Sequence, residues 1–549
     1  MTADPPSVLE FKTRVETFVD RLLAGHTVRE TKSKIVHDAL WGTTRYEPWE
    51  VAVMDSPLLQ RLRHIHQTGL AYLLYPTACH TRFDHSLGVV SVVSRVVVSL
   101  NARCKPNHPV IEHSDEVLLR LAALLHDVGH CLFSHVSEIV YEQTDEFTKF
   151  RRWLNDKYHV TPKGHEALSY LIVSSQRFGE FYSEVHTKCG LSPLPPSLEV
   201  VAELIIGHSR DPLKEYLTEI INGTIDADKL DYLARDAHFA GVTVAYDIER
   251  YMQTVAAYYD KGTAKLHLPI TGIAALEQIL LSKMTLYACL YHHHKVRAAE
   301  GMMKRACCLA KAAGVSFAVD GVDVVLDHPC DYLDVTESHV ALAASSNAGW
   351  DTAPGIWHKI ASRDLMKRAL IISRLFTEGV KDNTDANALT EFFRLMADCK
   401  EIEGCERLAD RIHKRMIEKL PAEQREAVPK KIVLVDIPKG PDVEEATAAE
   451  VPVTADGKRR VELERVFPLT MWAEGYATVQ WKGHVFAPDG WRWAANAAAI
   501  EVIGEEYGLR FDEMATLLCG MPASEQGPRP VPQPQKPVQY RLEIDADAP

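Results

Sequence analysis

The chain has 549 residues, of which 46% are hydrophobic and 25% are charged, and its formal net charge is -14 at pH 7. This composition excludes disordered and fibrous proteins and leaves room for a large core with one or two appended modules. The negative charge argues against a general nucleic-acid-binding surface, because such surfaces depend on clustered Lys and Arg.

The first residues, MTADPPSVLE, contain no basic segment followed by an apolar one, and the most apolar stretch, residues 89–100, is interrupted by Arg95. We therefore expect neither a signal peptide nor a membrane span. The eleven cysteines form no CxxC pair or regular framework, which favours reduced thiols. The expected compartment is the cytoplasm.

In chain order, an N-terminal segment of residues 1–29 precedes a long region, 30–431, in which apolar residues recur mainly at helical spacing. An extended stretch at 35–46 predicts a β-hairpin, or a strand that leads into a first core helix at 47–63. The clearest helical spacing lies at residues 116–125 and 276–303. Prolines predict loops at 193–196 and 211–212.

The composition changes near residue 432. The segments KKIVLVDIP, RRVELERVF and ATVQWKGHVFAP predict strands, and residues 496–507 predict a helix. We assign a smaller α+β unit to residues 432–520. The proline-rich residues 521–549 predict a disordered tail. The predicted fold is therefore mainly α, with an α-helical core, a small C-terminal α+β unit and a tail.

The most informative window is LAALLHDVGHCLFSH, residues 121–135. An apolar run leads directly into His126 and Asp127, and further histidines follow at positions 130 and 135. If a helix ends near Gly129, His126 and Asp127 lie about 100° apart and can reach a common ion only at the helix edge. A lone His-Asp pair at a helix end is more often structural, so the surrounding motifs decide the interpretation.

Several phrases resemble one family, the HD-domain deoxynucleoside triphosphate triphosphohydrolases, in the branch that contains the animal enzymes with a sterile alpha motif. The similarity covers residues 34–310 well and extends more weakly to about 505; no sterile alpha motif precedes it in this sequence. The phrases are DSPLLQRLRHIHQTG, CHTRFDHSLGV, LLHDVGHCLFSH, IDADKLDYLARDAHFAG, VRAAEGMM and the pair His165-Glu166.

The resemblance implies metal ligands at His85, His126, Asp127 and Asp228. Two imidazoles and two carboxylates balance a divalent charge, and the mixed donors leave the ion open among Fe, Mn, Zn, Co, Ni and Mg. The family's catalytic histidine matches His135, with Glu138 as its acidic partner one helical turn later. His130 and His165 with Glu166 match residues that hold phosphate oxygens.

The implied reaction is attack of water on the α-phosphorus of a dNTP, releasing a deoxynucleoside and triphosphate. Lys229 and Lys283 match phosphate-binding positions, and Lys283 replaces an arginine, so that a bidentate clamp becomes a point charge. Thr68 replaces a leucine beside the sugar. The remaining substrate-binding positions, for sugar, base and site wall, fall on Gln67, Arg82, Tyr232, Asp236, Tyr291 and His293. Arg82 is expected to stack over the base, and residues 291–295 to continue a helix along the site.

The family also binds activating nucleotides between subunits, which implies a homo-oligomer between dimer and hexamer, with the tetramer favoured. Counterparts of two activator-binding basic residues are missing near residues 268–273. The activator-binding positions that are matched fall on Lys34, Asp55, Gln60, Arg63, Arg250, Arg363 and Lys367.

Three interpretations stay open at this point. The first is a metal-dependent dNTP triphosphohydrolase that serves dNTP pool control or dNTP depletion during phage infection. The second is an HD phosphodiesterase or nucleotidase that acts on another phosphate ester. The third is a nucleotide-sensing partner protein without catalysis. An HD-fold oxygenase fits less well, since it requires ligands for two metals. A membrane partner is not expected.

Overall fold

We analysed a computed structural model of the chain. It describes residues 4–103, 108–190, 196–260, 262–438, 450–452, 459–472, 475 and 480–521. Helices make up 59% of the described residues and strands 10%, which confirms the mainly α prediction. The predicted proline-rich tail lies outside the described residues, apart from Met521.

The chain forms two compact units. The first contains residues 1–365, 400–402 and 437–482, and the second contains residues 366–399, 403–436 and 483–549. The division of the chain at residue 432 stays a prediction.

The first unit is mainly helical, with short hairpins between its helices. The helices are α1 Pro6–Leu23, α2 Pro48–Met54, α3 Pro57–Gln60, α4 Arg82–Ala102, α5 His113–Leu125, α6 His135–Tyr141, α7 Asp145–Tyr158, α8 Gly164–Val173, α9 Gln176–Cys189, α10 Leu198–Ile205, α11 Glu215–Ile221, α12 Ala227–Ala240, α13 Ile248–Thr254, α14 Ile273–Leu286, α15 His294–Ala313, α16 Glu337–Ala343 and α17 Ala353–Ala361. The strands pair antiparallel as β1 Lys34–Asp38 with β2 Gly42–Tyr46, β3 Ala256–Asp260 with β4 Thr263–His267, β5 Ser316–Val319 with β6 Val322–Val325, and β9 Glu450–Pro452 with β10 Arg460–Glu462.

Helices α4 and α5 form the centre of this unit. Fourteen of the 21 residues of α4 are buried, and so is every residue of α5 from Val117 to Leu125. Each fully buried aliphatic side chain stabilises the fold by roughly 1.5–3 kcal/mol. At the start of α4, Thr81 and Asp84 form a capping box that fixes the first turn. The two helices are therefore a rigid support for the side chains at their ends.

Helix α1 is a feature that the sequence interpretation left unassigned within residues 1–29. Most of its apolar residues recur at helical spacing and are buried, namely Val8, Phe11, Val15, Phe18, Val19 and Leu23. Phe11 stacks on Phe150 of α7, with ring centroids 4.7 Å apart. The N-terminal segment is therefore part of the packed unit.

The predicted continuous helix at residues 276–303 is wrong at its middle. Helix α14 ends at Leu286, a π-helical turn follows at Tyr287–Tyr291, and α15 begins at His294. His293 caps α15 by accepting a hydrogen bond from the Lys295 N–H. This side-chain cap competes with continuation of the helix. The spacing of apolar residues, on which the prediction was based, does not reveal such a cap.

The second unit contains a three-stranded antiparallel sheet in the order β7 Lys367–Ile372, β11 Gly483–Ala487, β8 Leu434–Asp436. Two of these strands and the helix Arg492–Tyr507 fall on predicted segments. The third predicted strand belongs to the first unit and is short: only Arg460–Glu462 is a strand, and a 3-10 turn follows it. The remaining helices are Ala386–Asp398, Ile402–Lys419, Ala422–Arg425 and Met514–Leu517.

Among the described residues, two helical stretches, Arg82–Ala102 and Ile270–Tyr291, are long and apolar enough to cross a membrane by length and composition alone. The most apolar windows of these stretches are 72% and 50% buried inside the protein. Core helices pass the same test, and the first stretch is the central helix α4.

Candidate active site

Four side chains from three helix ends converge at the centre of the first unit. His85 lies in the first turn of α4, His126 and Asp127 directly follow α5, and Asp228 lies in the first turn of α12. The His85 Nε2 atom is 3.2 Å from His126 Nε2 and 2.9 Å from Asp228 Oδ1. Asp127 approaches the two rings at 3.7 and 3.4 Å. The structure thus brings together all four predicted metal ligands.

The chemistry of these donors fits a divalent cation. His126 directs Nδ1 at the Ala123 carbonyl, 2.8 Å away, which leaves Nε2 facing the cluster. Ligand atoms bound at about 2.1 Å to one ion lie roughly 3 to 3.5 Å from each other, as most of these atoms do. The atoms of His85, His126 and Asp228 all lie within 4.8 Å of one another. The cluster is therefore a candidate metal centre.

The electrostatics of the cluster favour positive charge at its centre. Burial alone would lower the pKa of His85, but hydrogen bonds to Asp228 and Asp231 raise it to about 10. Burial alone would raise the pKa of Asp228, but His85 and His126 hold it well below its usual value. A proton or a metal cation between these groups satisfies the carboxylates.

Gly129 explains why the turn after Asp127 can approach α8 so closely. A Cβ atom at this position would lie 2.3 Å from the His165 carbonyl oxygen. The Gly129 N–H donates to Ser169 Oγ at 2.8 Å, and that hydroxyl donates to the His126 carbonyl at 2.6 Å. The backbone of the two ligands is therefore fixed against α8.

A second cluster contains the predicted acid. His135 Nδ1 is 2.5 Å from Glu138 Oε2, and His165 Nδ1 is 2.8 Å from Glu138 Oε1. The rings of His130 and His165 stack at 3.9 Å. The His135 side chain is 58% exposed, whereas the other three groups are buried. One carboxylate thus orients two histidines, of which only His135 faces solvent.

The charges within this cluster differ from ring to ring. Burial and the guanidinium of Arg82 hold the pKa of His130 well below its usual value, so that this ring is neutral. Burial alone would raise the pKa of Glu138, but His165 and His135 hold it well below its usual value. Glu138 is therefore an anion between two imidazoles.

The backbone just before His135 is unusual. Phe133 and Ser134 both have φ of 53°, in the left-handed region that non-glycine residues rarely adopt. Ser134 Oγ accepts a hydrogen bond from Arg82 and donates one to the His66 carbonyl at 2.7 Å. Side-chain contacts from α4 therefore support the turn that starts α6.

Arg82 joins the two clusters. Its guanidinium donates to Asp127 Oδ2 at 2.9 Å and to the Gln67 carbonyl at 3.3 Å, and it lies 3.4 Å from His135 Nε2. The residue is only 3% exposed. The predicted stacking over a base would require the side chain to leave these partners.

The predicted sugar-binding residues lie on three segments. Asp236 accepts a hydrogen bond from the Tyr291 hydroxyl at 2.5 Å, and its other oxygen lies 2.8 Å from His80 Nε2. Gln67 Oε1 and Thr68 Oγ1 are buried and, in the part of the chain that the structure describes, have no hydrogen-bond partner. Burial raises the pKa of Tyr232 well above its usual value, so this tyrosine is neutral.

The predicted phosphate-binding residues differ in their surroundings. The ammonium group of Lys229 donates to the Gly223 carbonyl and to Asp226, both at 2.7 Å, so internal partners already hold it. Lys283 is half-buried near the end of α14. His293, which was predicted to lie along a continuous helix, is the N-cap of α15.

The predicted activator residues do not form one cluster of described contacts. Lys34 pairs with Asp55 at 2.9 Å, and Arg63 donates to Gln60 at 2.8 Å while lying over the Phe83 ring. The other contacts in this set join Arg250 to the Thr271 carbonyl, Arg363 to the Leu73 carbonyl, and Lys367, in the second unit, to Asp489.

Sequence reasoning missed several residues that support the site. Asp231 and Arg235 form a buried ion pair behind His85. The i, i+4 spacing in DYLAR was the available signal, but an exposed helix pair has the same spacing. Lys163 lies just before His165, 3.8 Å from Glu166, and carries an exposed ammonium group. His80, Ser134 and Ser169 are further examples.

Comparison with protein families identifies the arrangement. Residues 82–236 match the HD domain, and residues 246–507 match the HD associated region. The chain therefore contains an HD domain followed by an HD associated region.

Curated relatives confirm the resemblance seen in the sequence. The chain is 30% identical over 274 residues to the uncharacterized protein MJ1154 of Methanocaldococcus jannaschii, covering 50% of this chain and 49% of the relative. It is 30% identical over 242 residues to the deoxynucleoside triphosphate triphosphohydrolase SAMHD1 of Bos taurus, covering 40% and 38%. For the protein of the same name from Gallus gallus the values are 27% over 356 residues, covering 61% and 55%. The chain spans about half the length of the curated relatives it matches.

Proposed function

We propose that the chain is a metal-dependent deoxynucleoside triphosphate triphosphohydrolase, which converts a dNTP and water into a deoxynucleoside and triphosphate. One observation carries the proposal: the cluster of His85, His126, Asp127 and Asp228 lies beside the His135–Glu138 pair, and Arg82 contacts both. A hydrolase of phosphate esters needs a place for a cation and a nearby proton donor.

Four side chains would hold the divalent cation, namely the two histidines and two aspartates of the first cluster. When bound, such an ion lowers the pKa of water toward about 7 and offsets the charge of a phosphate. The protein's own contribution is to present these donors on the ends of buried helices. Arg82 adds a fixed positive charge that touches Asp127 and reaches toward His135.

His135 is the proposed general acid. Glu138 holds its Nδ1 atom, so Nε2 is the nitrogen that can face a substrate. A bound triphosphate would add negative charge beside the exposed ring of His135 and favour its protonated form. As water adds to the α-phosphorus and the bond to the nucleoside 5′ oxygen breaks, the Nε2 proton passes to that oxygen.

The sugar would occupy the region of Gln67, Thr68, Asp236 and Tyr291. Two buried polar atoms there, Gln67 Oε1 and Thr68 Oγ1, have no partner among the described residues. Buried polar groups normally have one, so a ligand hydroxyl is a suitable partner. The Tyr291–Asp236 hydrogen bond holds the phenol beside the same region. Activation by a nucleotide, assembly into a homo-oligomer and a cytoplasmic location belong to this proposal as well.

The test is a product screen. The purified chain is incubated with each dNTP and each NTP, singly and in pairs, with Mn²⁺, Mg²⁺, Co²⁺ or Fe²⁺, and the products are identified by mass spectrometry. Release of deoxynucleoside and triphosphate supports the proposal, and activity only in pairs indicates nucleotide activation. Release of monophosphate or phosphate would identify another phosphate-ester hydrolase. No product under any condition would remove the proposal.

A further inference from the structure

The ring of His85 is held from behind by a carboxylate that was not among the predicted site residues. Asp231 Oδ2 accepts a hydrogen bond from His85 Nδ1 at 2.7 Å, and neither residue is exposed to solvent. The bond leaves Nε2 as the nitrogen that faces His126 and Asp228. A carboxylate in this position fixes the orientation of a metal-binding histidine and strengthens it as a ligand.

Hydrogen bonds occupy both oxygens of the Asp231 carboxylate. Oδ2 accepts from Arg235 Nε at 2.8 Å in addition to His85, and Oδ1 accepts from Arg235 Nη2 at 2.9 Å and from the indole N–H of Trp41. Four N–H donors from three residues therefore converge on one carboxylate. Its position is set by these donors and not by its own helix alone.

The hairpin β1–β2 holds Asp231 directly through Trp41 and indirectly through Asp38, which binds Arg235. Asp38, the last residue of β1, accepts from Arg235 Nη2 at 2.8 Å through Oδ2. Its other oxygen accepts from the backbone N–H groups of Leu40 and Trp41, at 2.7 and 2.9 Å, and so shapes the turn that carries the indole. The turn, the ion pair and the histidine form one continuous hydrogen-bond network.

The central helix α4 leaves room for this hydrogen-bond network. A Cβ atom on Gly88, one turn after His85, would lie 1.9 Å from Asp231 Oδ1 and 2.3 Å from Arg235 Nη2. Only a glycine lets the carboxylate and the guanidinium pack against α4 at this level.

We infer that Asp231 is the positioning residue of the ligand His85, and that the turn of the hairpin β1–β2 holds Asp231 in place through Trp41, Arg235 and Asp38. The inference rests on the proposed function in taking the His85 cluster as the metal centre. It predicts that the hairpin, which contributes no metal ligand, sets the affinity of the site for its cation.

The experiment measures Co²⁺ binding to the full chain after removal of bound metal with a chelator. Affinity is determined by competition with a chromophoric chelator, and ligand geometry is followed by the visible absorption of bound Co²⁺. The variants are Asp231→Asn, Trp41→Phe and Asp38→Asn. The matched control is Glu50→Gln, which breaks another buried bidentate ion pair, with Arg120 at 2.7 and 2.8 Å, and makes no described contact with the four ligands.

We expect Asp231→Asn to weaken Co²⁺ binding about 10- to 100-fold and to change the absorption spectrum. Trp41→Phe and Asp38→Asn should shift both readouts in the same direction by smaller factors. Glu50→Gln should lower thermal stability and leave affinity and spectrum unchanged. If Asp231→Asn does not fold, Trp41→Phe decides the question, because it removes one donor without leaving an unpaired buried charge.

The inference would be overturned if Asp231→Asn showed the affinity and spectrum of the wild type. If that variant does not fold, the same result in Trp41→Phe would overturn it. An equal loss of affinity in Glu50→Gln would also overturn it. Failure of the proposed function looks different. A wild-type chain that binds Co²⁺ in an Asp231-dependent way but hydrolyses no dNTP would remove the function and keep the inference. If the wild-type chain hydrolyses dNTPs while Asp231→Asn binds Co²⁺ normally, the proposed function is kept and the inference is removed.

Discussion

Replacing Gly88 with alanine tests the packing behind the metal centre, because two effects of opposite sign compete. In a helix interior, alanine is favoured over glycine by about 1 kcal/mol. At this position the new methyl group would overlap Asp231 and Arg235, at 1.9 and 2.3 Å. Overpacking a core costs about 1–3 kcal/mol, and a broken buried ion pair about 3–5 kcal/mol. Because both partners of the ion pair lie within 2.3 Å of the new methyl group, we expect the pair to break and the net loss to be roughly 2–4 kcal/mol after the propensity gain is subtracted.

The assay is thermal unfolding of the full chain together with Co²⁺ affinity. A loss of this size lowers the Tm by roughly 2–5 °C, because the unfolding entropy of a unit of about 400 residues is roughly 0.8 kcal/mol/K. The matched control is Gly179→Ala in α9, where an added Cβ meets nothing within 4 Å, so that only the propensity gain remains and the Tm rises slightly. An equal rise of Tm in both variants, with unchanged Co²⁺ binding, would refute the reasoning.

Three further predictions concern the site and its surroundings. Asp228→Ala should abolish metal retention and turnover, which metal analysis beside kinetics would show; full turnover would contradict the ligand assignment. His135→Ala should keep the metal but lower kcat by about 10² to 10⁴, and an unchanged kcat would remove the acid assignment. Glu219 has its pKa raised to about 7 by burial, so its protonated form is favoured in the folded state and stability is lost as pH rises through 7. Glu219→Gln should therefore stabilise the chain at pH 8 by roughly 3 kcal/mol, measured by chemical denaturation, and the gain should vanish at about pH 4, below the ordinary pKa of 4.5; a gain that is independent of pH would contradict it.

The helical core and the placement of its motifs could be predicted because their signals are local. The run of apolar residues before His126 predicts a buried helix, and the polar pair after it predicts a helix end. Asp228 lies in the first turn of α12, two residues after the N-cap Asp226. Histidines and aspartates placed at helix ends can therefore be recognised as candidate ligands from the sequence.

Other parts depend on contacts that a sequence does not display. The strand Lys367–Ile372 pairs with Gly483–Ala487 more than a hundred positions later, and no local pattern specifies that partner. The role of Asp231 depends on donors from a hairpin and a second turn of its own helix. The break at Tyr287–Tyr291 depends on a side-chain cap. Each of these features is decided by tertiary contacts, which override local preference.

The left-handed residues Phe133 and Ser134, just before the proposed acid His135, make the position of that acid depend on the metal-ligand cluster. Such conformations cost of order 1–3 kcal/mol each and persist only where neighbouring groups enforce them. Here the enforcing hydrogen bond to Ser134 comes from Arg82, whose other end is bound to Asp127. A chain that loses the guanidinium would release the turn from its constraint, so the proton donor would drift away from the cation site even though every histidine and carboxylate was still present.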